Sequence, residues 1–273
     1  MYNEYFGLKE APFNITPDPR FIFFSRKHLD AFSCLLYGIE SRRGFIQITG
    51  DIGAGKTTLC RLVFEKLKNT QTHTALILNP CLSELLLLRT IAEDFGIFIK
   101  ARNKKECFDA LNRFLLEQFH RGYNCILLID EAQDLTPKTL EQIRLLSNLE
   151  TDREKLIQII LVGQPELRET LNEPSLAQLR QRISIRFHLT ALDRKETEEY
   201  ILHRLHVAGL PEGLSPFLPE AMDFIYEQSL GVPRVINKLC DISLLAAYAR
   251  DLRHINEKLA EEAFNESEGV MAL

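Results

Sequence analysis

The feature that most constrains this chain is a glycine-rich stretch, Gly50–Thr58, which directly follows the apolar run Phe45–Ile48. It fits the pattern GxxxxGK[ST], which is typical of a loop between a buried strand and a helix. Such a loop aims successive backbone N–H groups at phosphates, and the next helix points its positive end at the same anion. The stretch, called the phosphate loop below, therefore predicts a cradle for a nucleoside triphosphate.

The residue types of the phosphate loop suit the binding of a triphosphate for chemical reasons. Glycine permits dihedral angles and close approaches that side chains forbid. Lys56 is placed to reach the β and γ phosphates, and the Thr57 hydroxyl to hold Mg²⁺. The alternative is a glycine-rich turn that binds nothing, which the strand-to-helix context disfavours. The predicted nucleotide-binding residues are Gly50, Asp51, Ile52, Gly53, Ala54, Gly55, Lys56, Thr57 and Thr58.

Composition narrows the class of protein. With 273 residues and 45% hydrophobic content, the chain can bury a large core, and we expect two units. The net charge is −5 without any basic block, which disfavours a strongly electrostatic nucleic-acid surface. The six cysteines are too widely spaced for a CxxC pair, so we interpret them as small buried side chains in a reducing compartment. No leader-like segment or membrane-length apolar run occurs, so we expect a cytoplasmic protein, peripheral to the inner membrane through partners.

Apolar runs alternate with amphipathic patterns through the first two thirds of the chain, and the remainder is wholly helical. This order predicts an α/β fold with a parallel sheet buried on both faces in residues 1–191, and a small helical domain in residues 192–273. The predicted strands are 45–49, 75–78, 125–129, 156–162 and 183–189. The predicted later helices are 193–206, 219–229, 233–250 and 256–266.

The first 24 residues combine aromatic side chains with turn formers and fit no simple helix. Two prolines, Pro17 and Pro19, argue against a regular element there. We expect the aromatic residues to pack as core against the edge of the following domain. The alternative is that they line an adenine pocket.

A second motif ends the third predicted strand. The run Ile126–Ile129 is followed by Asp130 and Glu131, which places two carboxylates where ligands collect in open α/β sheets. This is a Walker B pattern, in which Asp130 supports Mg²⁺ and Glu131 orients the attacking water or accepts its proton. The alternative is a pair of carboxylates that simply ends a strand.

Further polar residues are candidates for sensing the nucleotide. Gln164 follows the fourth strand and is placed to hydrogen-bond the attacking water or the γ phosphate, or else it simply starts a helix. Arg180 and Arg182 precede the fifth strand and are candidates for a finger that reaches a neighbouring subunit. Arg234 begins a helix of the helical domain, where it closes onto the γ phosphate or forms a surface ion pair.

The order of these motifs resembles the AAA+ ATPases, specifically the GspA/ExeA-like secretion ATPases. The resemblance covers nearly the whole chain. It is carried by 6–8, 12–13, 16–21, 130–133, 140–151, 163–167, 179–183 and 231–237.

The resemblance implies a P-loop AAA+ three-layer fold with the sheet order 5-1-4-3-2 and a lid of helices. It implies Gln164 as sensor 1, Arg180 or Arg182 as the finger, and Arg234 as sensor 2. It also implies that Asn79 holds Glu131 unproductive until a partner binds. ATP and Mg²⁺ are the implied cofactors.

The implied partners are further copies of the chain, as in a hexamer, and secretion or pilus assembly proteins at the inner membrane. Family members in type II secretion carry a transmembrane segment and a peptidoglycan-binding region after the ATPase. This sequence ends at Leu273, so we expect the short form that resembles MSHA-type pilus or exopolysaccharide-export ATPases.

Three hypotheses follow for function. The leading one is a Mg²⁺-dependent, oligomeric ATPase that drives assembly or remodelling of a secretion, pilus or export apparatus. The second is a nucleic-acid-associated ATPase resembling transposition helpers or the RuvB motor, which the lack of a basic tail disfavours. The third is a regulatory switch that binds ATP with negligible hydrolysis, which an intact Glu131 disfavours.

Overall fold

The computed structural model describes residues 2–14, 16, 18–68, 70–151 and 154–271. Its strands are β1 (Phe45–Gly50), β2 (Thr72–Ile77), β3 (Asn124–Ile129), β4 (Gln158–Gly163) and β5 (Ile183–Leu189). Its helices are α1 (Tyr2–Phe6), α2 (Arg26–Glu40), α3 (Lys56–Leu67), α4 (Glu84–Asp94), α5 (Lys104–His120), α6 (Pro137–Leu146), α7 (Glu166–Leu171), α8 (Ala177–Arg182), α9 (Arg194–Val207), α10 (Pro219–Ser229), α11 (Pro233–Ala249) and α12 (Glu257–Met271). Short 3-10 turns occupy Pro19–Phe21, Ala132–Asp134 and Pro174–Leu176.

The five strands form one sheet in the order β2-β3-β4-β1-β5, and the paired strands run parallel. Read from the other edge, this is the predicted order 5-1-4-3-2, so the predicted fold class is confirmed. Strand β2 begins earlier than predicted, at Thr72, and pairs there with Asn124 of β3. Its first residues are polar and only half-buried because β2 is an edge strand, so hydrophobicity alone misses them.

Contacts divide the chain into two compact units, of which the sheet unit comprises 29–50 and 59–189. Apolar side chains from alternate positions of the strands pack on α4, α5 and α6, through residues such as Leu127, Ile91 and Leu115. On the other face, Gly38 of α2 lies so close to Ile46 that an added Cβ would be 2.6 Å from its Cδ1 atom. Helices therefore cover both faces, as expected for a buried parallel sheet.

The second unit, called the helical unit, comprises the described residues within 1–28, 51–58 and 190–273. Its core joins α9 to α12 with side chains from the N-terminal segment, including Phe13 and Phe21, which are 1% and 6% exposed. The predicted division placed the N-terminal segment with the strands. Its packing instead follows the helical unit, because its aromatic residues fill the space between the C-terminal helices.

The N-terminal segment also contains more regular structure than the sequence indicates. Residues Tyr2–Phe6 form α1, and Pro19 begins a 3-10 turn whose preceding Asp18 accepts a hydrogen bond from Arg20 N–H. The expectation of no regular element was therefore wrong at Pro19, since proline is well suited to the first position of a helical turn. Pro17 lies outside the described residues.

A buried arginine fixes the N-terminal segment within the helical unit. The Arg204 guanidinium of α9 donates to Pro12 O at 2.5 Å and to Asn14 O at 3.2 Å. It also lies over the Phe21 ring, 4.9 Å from its centroid. Only 6% of Arg204 is exposed. Because a buried cation needs such partners, Arg204 is a structural residue that the sequence analysis did not identify.

Side-chain caps mark the starts of two helices. Thr136 accepts a hydrogen bond from Thr139 N–H before Pro137, and Asp193 forms a capping box with Glu196. Helices α7 and α8 were not predicted, since each is too short to show a helical period.

The six cysteines, all of them described, form no disulfide; most are buried as predicted, but Cys81 is exposed and Cys34 is half-buried. Within the described part of the chain, no helix combines the length and apolarity needed to cross a membrane.

Candidate active site

The phosphate loop has the backbone of an anion cradle. Gly53 and Gly55 have φ angles of +81° and +94°, in the region that favours glycine, and α3 begins directly afterwards at Lys56. The Lys56 ammonium group donates to Asp51 O at 2.8 Å, and only 7% of the residue is exposed. The Lys56 side chain is thus folded across its own loop.

The other loop residues differ in exposure. Ala54 is buried, whereas Ile52 is 58% exposed. Thr57 and Thr58 lie half-buried in the first turn of α3. Gly50, in the sheet unit, is required for a reason unrelated to phosphate, because an added Cβ would lie 2.5 Å from Leu189 O of β5.

Two side chains of the helical unit press against the phosphate loop. A Cβ at Gly53 would lie 2.6 Å from Arg234 Cβ, and a Cβ at Gly55 would lie 3.0 Å from His28 Nε2. His28 Nε2 also lies 3.0 Å from Ala54 O. Arg234 was predicted as a site residue. His28 was not, because a lone histidine in an amphipathic helix carries no motif.

The start of α11 positions Arg234. Gly231 has φ +74°, and a Cβ there would lie 1.8 Å from Leu192 O, so only glycine fits. Leu192 N–H donates to Gly231 O at 2.9 Å, which ties this turn to the segment before α9. Arg234 itself is exposed, and among the described residues it has no hydrogen-bond or ion-pair partner. Its guanidinium is therefore available for an anion.

In the sheet unit, a segment that we call the acidic turn, Asp130–Gln133, follows β3. Asp130 is 4% exposed, and its N–H donates to Ile77 O at 2.8 Å, continuing the pairing of β3 with β2. Asp130 Oδ1 accepts from Glu131 N–H at 3.0 Å. Glu131 has φ 50° and ψ 39°, a left-handed conformation that costs free energy for a residue with a side chain.

Two amide side chains hold the Glu131 carboxylate. Gln133 Nε2 donates to Glu131 Oε2 at 2.8 Å, and Gln164 Nε2 donates to the same oxygen at 3.4 Å. Gln133 Oε1 in turn accepts from Gln164 N–H at 2.9 Å. Gly163 leaves the room for this contact, because a Cβ there would lie 2.8 Å from Gln133 Oε1. The geometry thus brings together the residues that end β3 and β4.

Gln133 is a candidate residue to which the sequence analysis gave no role. The signal was present, since Gln133 belongs to the Asp130–Gln133 stretch that carries the family resemblance. For Asn79, the structure describes a hydrogen bond within its own turn. Asn79 Oδ1 accepts from Cys81 N–H at 3.3 Å and so closes its own turn after β2. In this structure the amide donors to Glu131 are Gln133 and Gln164, and the role that the resemblance implies for Asn79 stays a prediction.

The two finger candidates both have partners within the chain. Arg180 Nη1 donates to Asn172 O at 3.2 Å, and Arg182 Nη1 donates to Ser147 Oγ at 3.0 Å. Both side chains are half-buried at the end of α8. Either arginine would have to leave these neutral acceptors to reach another subunit.

The electrostatics of His28 follow from its burial. It is 5% exposed, and burial lowers the pKa of its imidazole, although the Ala54 carbonyl and the Glu196 charge oppose that shift. His28 is therefore neutral near pH 7, with one protonated ring nitrogen.

Comparisons with known proteins agree with this picture. A family model described as an AAA domain matches residues 39–171. The general secretion pathway protein A of Aeromonas hydrophila is 43% identical over 251 residues, which cover 92% of this chain and 45% of that protein. The chain thus spans less than half the length of that relative.

Two solved structures share the architecture. The Aeropyrum pernix ORC2 protein in ADPNP–ADP complexes superposes with a TM-score of 0.70 at 18% identity, covering 94% of this chain and 72% of that chain. The RuvB Holliday junction branch migration motor of Thermotoga maritima gives a TM-score of 0.57 at 18% identity, covering 89% of this chain and 69% of that chain. Likeness at these identities shows the fold alone. The AAA-domain match and the 43% identity over 92% of this chain support an AAA+ ATPase of the GspA/ExeA-like family.

Proposed function

We propose that this ATPase hydrolyses Mg²⁺-bound ATP and uses the energy to assemble or remodel a secretion, pilus or export apparatus. The observation that carries the hydrolytic part is the acidic turn. A carboxylate is held there by two amides, beside a buried aspartate, at the carboxyl end of a central strand. Ligands of open α/β sheets bind at that edge. A protein that only bound ATP would not need a water-orienting carboxylate in a strained backbone position.

In this proposal the phosphate loop, the acidic turn and Gln164 have separate roles. Lys56 and the loop N–H groups bind the phosphates, as its buried ammonium group and the left-handed glycines support. Glu131 orients water and accepts its proton. Its Oε2 atom is occupied by Gln133 and Gln164, while Oε1 accepts no hydrogen bond from the described residues and is available to water. Gln164 acts as the sensor.

Thr57 and Asp130 are the proposed magnesium ligands. The described residues include no cluster of three or more His, Cys, Asp or Glu side chains that would cage a metal. A hydroxyl and a carboxylate fit Mg²⁺ instead, since this ion keeps water and phosphate oxygens in its shell. When bound, it would neutralise charge on the phosphates.

The arginines define a proposed oligomer. Arg234 reports the nucleotide to the helical unit, which its exposure and its contact with Gly53 support. Arg180 or Arg182 completes the site of a neighbouring subunit, where a cation stabilises the transition-state charge. The active form is then a ring such as a hexamer.

The proposed setting follows from the Aeromonas hydrophila relative, which is named for the general secretion pathway. We propose that the chain works at the cytoplasmic side of the inner membrane, held there by partner proteins of a secretion or pilus system.

The test is the variant Glu131→Gln, with Glu117→Gln, at an exposed position of α5, as a matched control. Loss of the proton acceptor should reduce steady-state ATP hydrolysis by two or more orders of magnitude. ATP binding should persist, and ATP-dependent oligomers should accumulate in sedimentation. Normal turnover in Glu131→Gln would refute the proposal. Turnover that rises only with added DNA would instead favour a nucleic-acid motor.

A further inference from the structure

We propose that His28 is a positioning residue for nucleotide binding. By holding the Ala54 carbonyl group, it turns the Gly55 N–H toward the phosphate side of the loop. The inference rests on the proposed role of the phosphate loop, and its observations all lie within the helical unit.

Both ring nitrogens and the backbone N–H of His28 have hydrogen-bond partners. Ser25 Oγ lies 2.8 Å from Nδ1, and Ala54 O lies 3.0 Å from Nε2. The backbone N–H of His28 donates to Ser25 Oγ at 3.3 Å. His28 and Ser25 are 5% and 3% exposed, so water does not compete for these groups. An imidazole so placed has a defined orientation in the first turn of α2.

The partners also fix the tautomer. A carbonyl oxygen only accepts, so the proton of the neutral ring must lie on Nε2, which donates to Ala54 O. The Nδ1 atom then accepts from the Ser25 hydroxyl, whose oxygen accepts from the His28 backbone. Donors and acceptors match at each contact, and no buried group of the set lacks a partner.

This arrangement controls the next peptide unit. In a trans peptide the C=O and N–H groups point in opposite directions. Because Ala54 O points at the imidazole, the N–H of Gly55 points away from it, on the side where a phosphate cradle needs its donors. Gly55 has φ +94°, and a Cβ there would lie 3.0 Å from Nε2, so the loop runs in close contact with the ring.

A second contact links this arrangement to the C-terminal helices. The N–H of Arg26, at the start of α2, donates to Glu196 Oε1 at 3.3 Å. The other oxygen of Glu196 closes the capping box of α9 by accepting from Asp193 N–H at 3.1 Å. The start of α2 is therefore anchored on α9 as well as on the phosphate loop.

The experiment compares His28→Phe, which keeps the ring volume without a donor, with His28→Gln, whose amide can donate to Ala54 O. Loss of one buried hydrogen bond should weaken ATP binding about tenfold in His28→Phe. Calorimetric titration with ATP measures this Kd. Steady-state kinetics should show KM raised by a similar factor with kcat within about twofold, because His28 touches no reacting group. His28→Gln should restore most of the affinity.

The matched control is His203→Phe, which changes a half-buried histidine of the same unit away from the phosphate loop. It should leave the Kd for ATP unchanged, and a tenfold loss there would overturn the inference. Equal ATP affinity of wild type and a folded His28→Phe would also overturn it. A loss in His28→Gln as large as in His28→Phe would overturn the donor role.

A measurement on the unmodified chain avoids any folding defect. Nitrogen-15 NMR of the imidazole should show protonated Nε2 and unprotonated Nδ1, and the opposite tautomer would overturn the inference. Lys56→Ala distinguishes failure of the proposed phosphate binding from failure of the positioning role of His28. If Lys56→Ala binds ATP normally, the proposed function of the loop fails. If it loses binding while His28→Phe does not, only the positioning role fails.

Discussion

The phosphate loop and the acidic turn reach unusual backbone conformations by opposite means. In the phosphate loop, left-handed positions are occupied by Gly53 and Gly55, which bear no conformational penalty there. In the acidic turn, the left-handed position is occupied by Glu131, and hydrogen bonds to its side chain and backbone must offset the cost.

The difference separates two tasks. Glycines make a surface of backbone donors, which suits binding of a ligand with many equivalent oxygens. A strained carboxylate with defined amide partners makes one atom available in one direction, which suits a chemical step. The comparison therefore predicts that changes in the loop alter binding and that changes around Glu131 alter turnover.

The largest effect is expected from Lys56→Ala. Removing the buried ammonium group proposed to bind the phosphates should weaken ATP affinity on the order of 10- to 100-fold and abolish measurable turnover. Titration with ATP and a phosphate-release assay measure the two effects. Lys68→Ala, an exposed position just beyond α3, is the control and should behave as wild type. Unchanged affinity in Lys56→Ala would remove the loop from the binding site.

Gln133→Ala tests the acidic turn. Without its closest amide partner the Glu131 carboxylate is less well oriented, so kcat should fall about tenfold while KM for ATP stays within twofold. Gln178→Ala on the exposed side of α8 is the control. A raised KM with normal kcat would contradict the division of tasks, and a raised kcat would show that Gln133 restrains Glu131 in an inactive arrangement.

The same contrast explains what the sequence could predict. The phosphate loop, the strands and most long helices were found because glycine patterns, apolar runs and capping residues are local signals. The bond between Gln164 and Glu131 joins residues 33 positions apart, and its support by Gln133 depends on Gly163 leaving space. Such contacts need the sheet order, which only the family resemblance supplied in advance.

The sequence also could not predict which elements of the chain a buried residue packs against. The aromatic N-terminal segment was correctly interpreted as core, but the pattern could not indicate that its partners are α9 to α12. Arg204 and His28 were overlooked for a related reason, since each is a polar residue whose partners are backbone carbonyl groups distant in sequence. Every residue has a backbone carbonyl group, so the residue types do not show which one accepts such a hydrogen bond.

At Glu131 in the acidic turn, a glycine variant should be more stable than an alanine variant, which is the reverse of the usual order. Glu131→Gly and Glu131→Ala both lose the carboxylate, yet the glycine variant should be more stable by about 1 kcal/mol because the backbone there is left-handed. In the loop, Gly55→Ala should instead destabilise by about 1 kcal/mol or more, from its φ and its contact with His28. Urea unfolding measures both differences. Equal stability of the two Glu131 variants would show that the turn relaxes once the side chain is gone.

The smallest expected effect is a pH dependence of stability that arises from His28, beside the phosphate loop. Burial lowers the pKa of His28 in the folded state, while in the unfolded chain it is about 6.5. Below that value the unfolded state binds more protons than the native state, so the stabilising contribution is complete above pH 6.5 and is lost as pH falls toward the folded pKa. The charge of Glu196 of α9 faces the ring and partly opposes the lowering of the His28 pKa. The free energy of unfolding of wild type should therefore decline more between pH 7 and 5 than that of His28→Gln. If the free energy of unfolding declined equally in both proteins, the folded state would accept the second proton as readily as the unfolded chain. The imidazolium would then keep its bond to Ala54 O.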